Sequence, residues 1–130
     1  AAAFVDSPYS DLPQIIDEEL ARNNYPAFLA PGGIFMARLV AGDNLTAFSP
    51  KDAIKNDAGR PIYIVHGTGD TRIDVHHTWQ LAELASQTAA NVTVWIPEGI
   101  GHVESVFAIP EEYEKRLVNF FLDSLGDQQE

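Results

Sequence analysis

The chain has 130 residues, the size of one ordinary domain, and its 45% hydrophobic content is enough for a modest core. A net charge of −11 with only 8 Lys and Arg argues against nucleic acid or an anionic membrane as partner, because both recruit basic side chains. With no cysteine, disulfides, thiol catalysis and thiolate metal sites are excluded, and no apolar run reaches the length of about 18 residues that a membrane span needs.

The acidity is read as a solubility feature. Zero cysteine suits a reducing or an oxidising compartment, so the expectation is a soluble protein of open localisation, with the cytoplasm favoured. The opening Ala1-Ala2-Ala3-Phe4-Val5 has neither Met nor a basic leader and reads as the start of a fragment or processed chain.

Residues 1–5 form a short buried strand, stopped by the turn signal Asp6-Ser7-Pro8. Asp11 and Gln14 have the spacing of a capping box, and Leu12, Ile15, Ile16 and Leu20 then share one helical face up to Asn23-Asn24. Residues 25–33, with two prolines and two glycines, read as a loop. Ile34, Phe35, Leu39 and Val40 have helical spacing, closed by Gly42. Ser49 caps a further short helix with Pro50 at its first position.

From residue 61 the element types alternate. Pro61–His66 is a β-branched and aromatic run ended by Gly67, and a helix over residues 75–89 buries Trp79, Leu81, Leu84 and Ala85. Asn91–Ile96 is the next strand, and a final helix runs from Pro110 to Gly126 with Tyr113, Leu117, Phe120, Phe121 and Leu125 as its apolar stripe. Glu111 and Glu112 in its first turn suit the helix dipole. Residues 127–130 read as a flexible polar tail.

Strand, helix, strand, helix at these spacings predicts an α/β fold of about three parallel strands with right-handed crossovers and flanking helices. Continuously apolar strands indicate a sheet covered on both faces. Three strands leave long unpaired edges, so the pattern reads as one side of a larger sheet.

Chemistry in parallel sheets gathers beyond the C-terminal strand ends. Two loops lie there: Gly67-Thr68-Gly69-Asp70-Thr71-Arg72-Ile73-Asp74 and Pro97-Glu98-Gly99-Ile100-Gly101-His102-Val103-Glu104. An acid and a histidine on neighbouring strand ends can meet, the acid orienting the imidazole as a general base.

These residues carry a resemblance. Ile64-Val65-His66-Gly67-Thr68-Gly69-Asp70 resembles the acid-bearing strand end of α/β-hydrolases, above all the esterase and prolyl-oligopeptidase-like branches with their H-G-x-x-D. Gly99-Ile100-Gly101-His102 resembles their G-x-G-H loop, with room for one helix and one strand between the two. Pro110-Glu111-Glu112-Tyr113 opening a terminal helix and Asp6-Ser7-Pro8-Tyr9 closing an earlier strand also fit. The resemblance extends over nearly the whole chain, residues 1–126 as the C-terminal portion of one hydrolase domain, with 9–58 as a possible cap or lid segment.

The resemblance implies Asp70 as triad acid and His102 as general base of a serine hydrolase cleaving an ester or amide by acyl transfer, without metal or cofactor. The family's serine sits in a G-x-S-x-G elbow before the acid, and no such elbow occurs here. Ser7 and Ser10 lie in a turn and Ser49 serves as a cap. The chain is therefore expected to lack the nucleophile and oxyanion hole and to be inert alone. Where the family often has proline shortly after the acid, this chain has Asp74-Val75, which makes Asp74 a rival acid, though a helix N-cap is the plainer reading.

The remaining candidates have plainer readings too. His66 is expected to be packed near the site, and His76 and His77 to be exposed on different sides of a first helical turn. Taken together, His66, Asp70, Asp74, His76 and His77 match no firm metal-ligand spacing, so no metal is expected. Glu98 and Glu104 read as solvated loop carboxylates. Tyr9, Phe28, Phe35 and Met36, with Tyr25 and Phe48 nearby, are the apolar groups available to a substrate pocket, although plain core is expected for at least half of them.

The alternative is a non-catalytic fragment or interaction module, associating through its unpaired edge strand with a missing N-terminal half or a second copy.

Overall fold

A computed structural model describes residues 1–42, 44 and 46–126, so the tail expected at 127–130 lies outside the described residues. Three parallel strands form one sheet in the order β1 (Ala3–Asp6), β2 (Ile62–Val65), β3 (Val92–Trp95). Ala3 pairs with Ile62 and Ile62 with Val92, and the register holds through Asp6, Val65 and Trp95. Among the described residues, β1 and β3 each have one strand neighbour, so the sheet has two open edges.

Side-chain alternation along a strand separates the two faces of the sheet. Ile62, Ile64, Val92 and Val94 face a core made with Ile54, Leu81 and Ala85. Ile54 comes from α3 (Pro50–Lys55), and Leu81 and Ala85 from α4 (His76–Ser86). The other face carries Phe4, Tyr63 and Trp95 under α6 (Pro110–Gly126). Phe4 and Tyr63 stack at 5.0 Å, Tyr113 and Phe120 close on them, and the Arg116 guanidinium lies 4.5 Å above Trp95. Over β2 and β3 both faces are thus covered, as the apolar strands imply, whereas β1, expected to be a buried strand, is exposed at Ala3 and only half-buried beyond it.

Between β1 and β2 come α1 (Leu12–Arg22), α2 (Leu29–Ala41) and α3. Asp11 caps α1 by accepting from the Gln14 amide at 3.1 Å. The Gln14 side chain does not return to the cap, so only half of the expected capping box forms. Ser49 and Asp52 complete a full box at α3.

Local expectations fail at five places. Helix α2 already begins at Leu29, inside the stretch read as a loop. Pro31 falls in its first turn, where an amide has no helical partner to lose. A short helix, α5 (Ser105–Ala108), precedes α6. Trp79 is 54% exposed, because α4 turns His77, Thr78, Leu81 and Ala85 inward instead. Leu125, expected in the buried stripe of α6, is half exposed. Phe28, Phe35 and Met36, together with Tyr25 and Phe48, are neither core nor enclosed pocket; all are at least 55% exposed. No described helix is long and apolar enough to cross a membrane.

Candidate active site

Three loops leave the C-terminal ends of the three strands side by side, and each contributes to one constellation. The loops after β2 and β3 touch along their backbones. Thr68 N donates to Pro97 O and Gly69 N to Ile100 O, each at 3.0 Å, and Gly99 N donates to Thr68 Oγ1 at 2.8 Å. Only glycine fits at two of these places: a β-carbon on Gly67 would lie 2.0 Å from Ile100 O, and one on Gly69 2.7 Å from Gly99 O.

This contact brings Asp70 to His102. Asp70 Oδ2 accepts from His102 Nδ1 at 2.8 Å. Its Oδ1 accepts from the amides of Arg72 at 2.8 Å and Ile73 at 2.9 Å, and the side chain is wholly buried. Burial pushes the Asp70 carboxyl up, but the Ile73 amide, the His102 ring and the Arg72 amide together outweigh it. Its pKa therefore lies below the ordinary carboxylate value.

A carboxylate only accepts, so His102 Nδ1 carries a hydrogen and Nε2 is left as the basic nitrogen. Nε2 has no hydrogen-bond partner among the described residues, and the ring lines an open groove of about 670 Å³. Tyr9, Ile15, Glu19, Arg22 and Asn23 form one wall of the groove, Arg72 and Ile73 the other. Of the four pocket residues expected from the sequence, Tyr9 lies on this groove, whereas Phe28, Phe35 and Met36 do not. Those three sit on or next to α2 and turn toward solvent.

His66 is buried behind the pair. Its Nε2 donates to Ile73 O at 2.8 Å and lies 3.2 Å from Asp70 Oδ2, and its Nδ1 lies 2.6 Å from Thr78 Oγ1. It therefore braces the Asp70 loop from inside. The third loop, after β1, contributes Ser7. Its Oγ accepts from the Val103 amide at 3.2 Å and donates to Asp6 Oδ1 at 2.9 Å. Val103 has φ 55°, an unfavourable region for a β-branched residue, so the Ser7 bond helps to hold the turn right after His102. Read as a plain turn residue, Ser7 gives no sequence signal of this tie.

Asp74 goes elsewhere. Its Oδ1 accepts from the His76 amide at 2.8 Å and lies 3.0 Å from His76 Nδ1, at the start of α4. The expectation that His76 and His77 are exposed on different sides is incorrect. His77 is fully buried, the two rings stack at 4.3 Å, and both reach Glu18 of α1. Burial holds the His77 pKa below the usual histidine value, despite Glu18 nearby. The five residues weighed as a metal cluster thus divide between two sites, and Glu18 is the member that sequence spacing alone did not offer.

No serine hydroxyl bonds His102 among the described residues. Ser10 is fully buried and bonded to His77 and Gln80, and Ser49 is spent on its cap.

No protein-family model matches this sequence, and no curated protein matches it. Solved structures do. An esterase of Pyrococcus furiosus superposes with a TM-score of 0.63 at 19% identity, over 95% of this chain and 45% of its own. A thermophilic esterase of Thermogutta terrifontis with butyrate bound gives 0.66 at 23% identity, over 96% of this chain and 44% of its own. The fold is part of an α/β-hydrolase fold. The acylaminoacyl peptidase of Pyrococcus horikoshii shares this α/β-hydrolase fold at a TM-score of 0.61 and 19% identity, over 95% of this chain and 20% of its own. The chain spans less than half the length of the esterases it superposes on.

Proposed function

We propose that this chain supplies the acid and base of a serine hydrolase that cleaves an ester or amide by acyl transfer. The carrying observation is the 2.8 Å bond from His102 Nδ1 to a buried Asp70 held by two amides, with His102 on an open groove. In this reading Asp70 keeps the hydrogen on Nδ1 and stabilises the imidazolium that forms. Nε2 takes the proton of an attacking serine hydroxyl and returns it to the leaving oxygen or nitrogen; water then repeats the cycle on the acyl-enzyme.

The serine and the oxyanion hole come from a second half of the fold. This agrees with the absence of a G-x-S-x-G in the sequence and with the greater length of the similar esterases. The open groove beside Tyr9 and Ile15 would take the acyl group or its leaving group. Incubation of the 130-residue chain with a fluorophosphonate probe and a short-chain p-nitrophenyl ester tests the division of labour. Neither labelling nor turnover is expected from the chain alone, while a chain that also includes a nucleophile-bearing half gives both and loses turnover on His102→Gln. Labelling of the isolated chain would overturn the reading.

A second reading is favoured by the open edge of β1. An apolar groove of about 440 Å³ runs along it, lined by Ala1, Ala3, Val5, Pro8, Phe48 and Ile64 among others. A non-catalytic module pairing with a missing half or a second copy through this edge would use that surface. Light scattering after size exclusion separates the cases, since a well-folded monomer speaks against self-pairing.

A further inference from the structure

Away from Asp70 and His102, the densest group of chemistry-bearing side chains is Glu18 on α1 with His76 and His77 on α4. Glu18 Oε1 lies 3.2 Å from His76 Nε2, and Oε2 lies 3.0 Å from His77 Nε2. One donor atom from each residue can be chosen so that all three fall within 4.8 Å of one another. Adjacent helical residues diverge by about 100° around the axis, so the stacking of these two rings at 4.3 Å means that both are drawn to one side.

The outer nitrogen of His76 is held as that of a metal-bound histidine is, and His77 has a partner that can do the same. His76 Nδ1 lies 3.0 Å from the Asp74 carboxylate, which can only accept. Nδ1 therefore carries the hydrogen, and Nε2 presents its lone pair toward Glu18. His77 Nδ1 lies 2.9 Å from Ser10 Oγ, whose own hydrogen goes to Gln80 Oε1 at 2.7 Å, so this oxygen is available to accept from Nδ1. The Ser10 amide, 3.2 Å from Nδ1, and the Glu18 carboxylate, 3.0 Å from Nε2, both favour the opposite tautomer, with the hydrogen on Nε2. A cation on Nε2 decides between the two.

Tetrahedral bonds of about 2.0–2.2 Å set donor atoms about 3.4 Å apart. Each Nε2 faces its own Glu18 oxygen, at 3.2 and 3.0 Å, so the carboxylate has to turn to offer one oxygen to a cation between the two rings. The Gln14 amide nitrogen, 3.0 Å from Glu18 and 3.1 Å from His76, is the group that a cation would displace. Two imidazoles and one carboxylate suit a borderline cation of the zinc class, whereas magnesium and calcium prefer an all-oxygen set.

We propose that Glu18, His76 and His77 bind one divalent cation of the zinc class, with a water in the fourth position, stapling α1 to the start of α4. Helix α1 carries Ile15, Glu19 and Arg22 along the groove beside His102, so the cation stiffens one wall of that groove. The proposal does not depend on the hydrolase reading.

Calorimetric titration of the chelator-treated protein with ZnCl₂ and with MgCl₂ tests it. Saturable binding of a single Zn²⁺ per chain is expected, with no heat from Mg²⁺. His76→Gln and Glu18→Gln, both at partly exposed positions, weaken zinc binding at least about tenfold. Asp74→Asn weakens it about 10–100-fold through the lost support of His76. His102→Gln leaves it unchanged, which separates this site from the Asp70–His102 pair. Absence of saturable zinc binding, undiminished binding in both ligand variants, or loss of binding in His102→Gln overturns the proposal. Cobalt(II) added to the unsubstituted protein gives a check that needs no variant: intense visible bands of a four-coordinate centre are expected, and their absence counts against the site.

Discussion

Gly67 and Ile100 approach so closely that a β-carbon on Gly67 would sit 2.0 Å from the Ile100 carbonyl oxygen. The obstacle is backbone, not the end of a flexible side chain, so the loops after β2 and β3 have to separate to admit one. Gly67→Ala should therefore destabilise the protein by about 1–3 kcal/mol and disturb the Asp70–His102 bond that this contact positions. Urea denaturation measures the first effect. Loss of the low-field His102 Nδ1 proton resonance reports the second.

Asp70→Asn keeps the side-chain volume but removes the acceptor that fixes the His102 tautomer. In a chain that includes the nucleophile-bearing half, kcat should fall about 10⁴-fold, as when the triad acid is amidated elsewhere. Steady-state kinetics with a p-nitrophenyl ester checks this, and a loss smaller than about tenfold would remove Asp70 from the proposed role.

The lowered pKa of Asp70 also gives a signed pH dependence. A carboxyl titrating lower in the folded than in the unfolded chain means that the unfolded state takes up the proton first on acidification. The stabilisation is complete above the unfolded value of about 4 and is lost as pH falls through the lower folded value. Thermal melts of Asp70→Asn should accordingly lack the part of the acid-side decline that the unsubstituted protein shows below about pH 4.

Ser7 tests how the loop after β3 is held. Ser7→Ala removes the oxygen that accepts from the Val103 amide next to His102. With Val103 itself exposed, loss of this bond should cost about 0.5–1.5 kcal/mol, and amide hydrogen exchange at Val103 should accelerate.

On α4 the exposed Trp79 and the buried Leu81 should behave oppositely. Leu81→Ala empties a place in the core against Ile54 and Ile64 and should cost about 2–5 kcal/mol. Trp79→Gln should stay within about 0.5 kcal/mol. Paired denaturation curves decide whether the inward face of α4 is the one seen here.

The sequence by itself determined the order of the strands and the longer helices, the parallel sheet and the two loops that bear Asp70 and His102. These depend on short-range signals: β-branched runs that favour extended chain, Ser49 and Pro50 that start α3, and Gly67 and Gly69 next to the acid. Only the tertiary structure decided what lies far apart in the chain yet close in space. Asp70 and His102 meet because two glycines let their loops touch; Ser7 holds the turn at Val103; and Glu18 joins His76 and His77 because α1 folds back onto α4. Periodicity could not choose between Trp79 and the pair His77 and Thr78 as the buried face of α4. Hydrophobicity favours the tryptophan, whereas burial of His77 and Thr78 depends on polar partners, Ser10 and Glu18 for one and His66 for the other, that only the fold supplies.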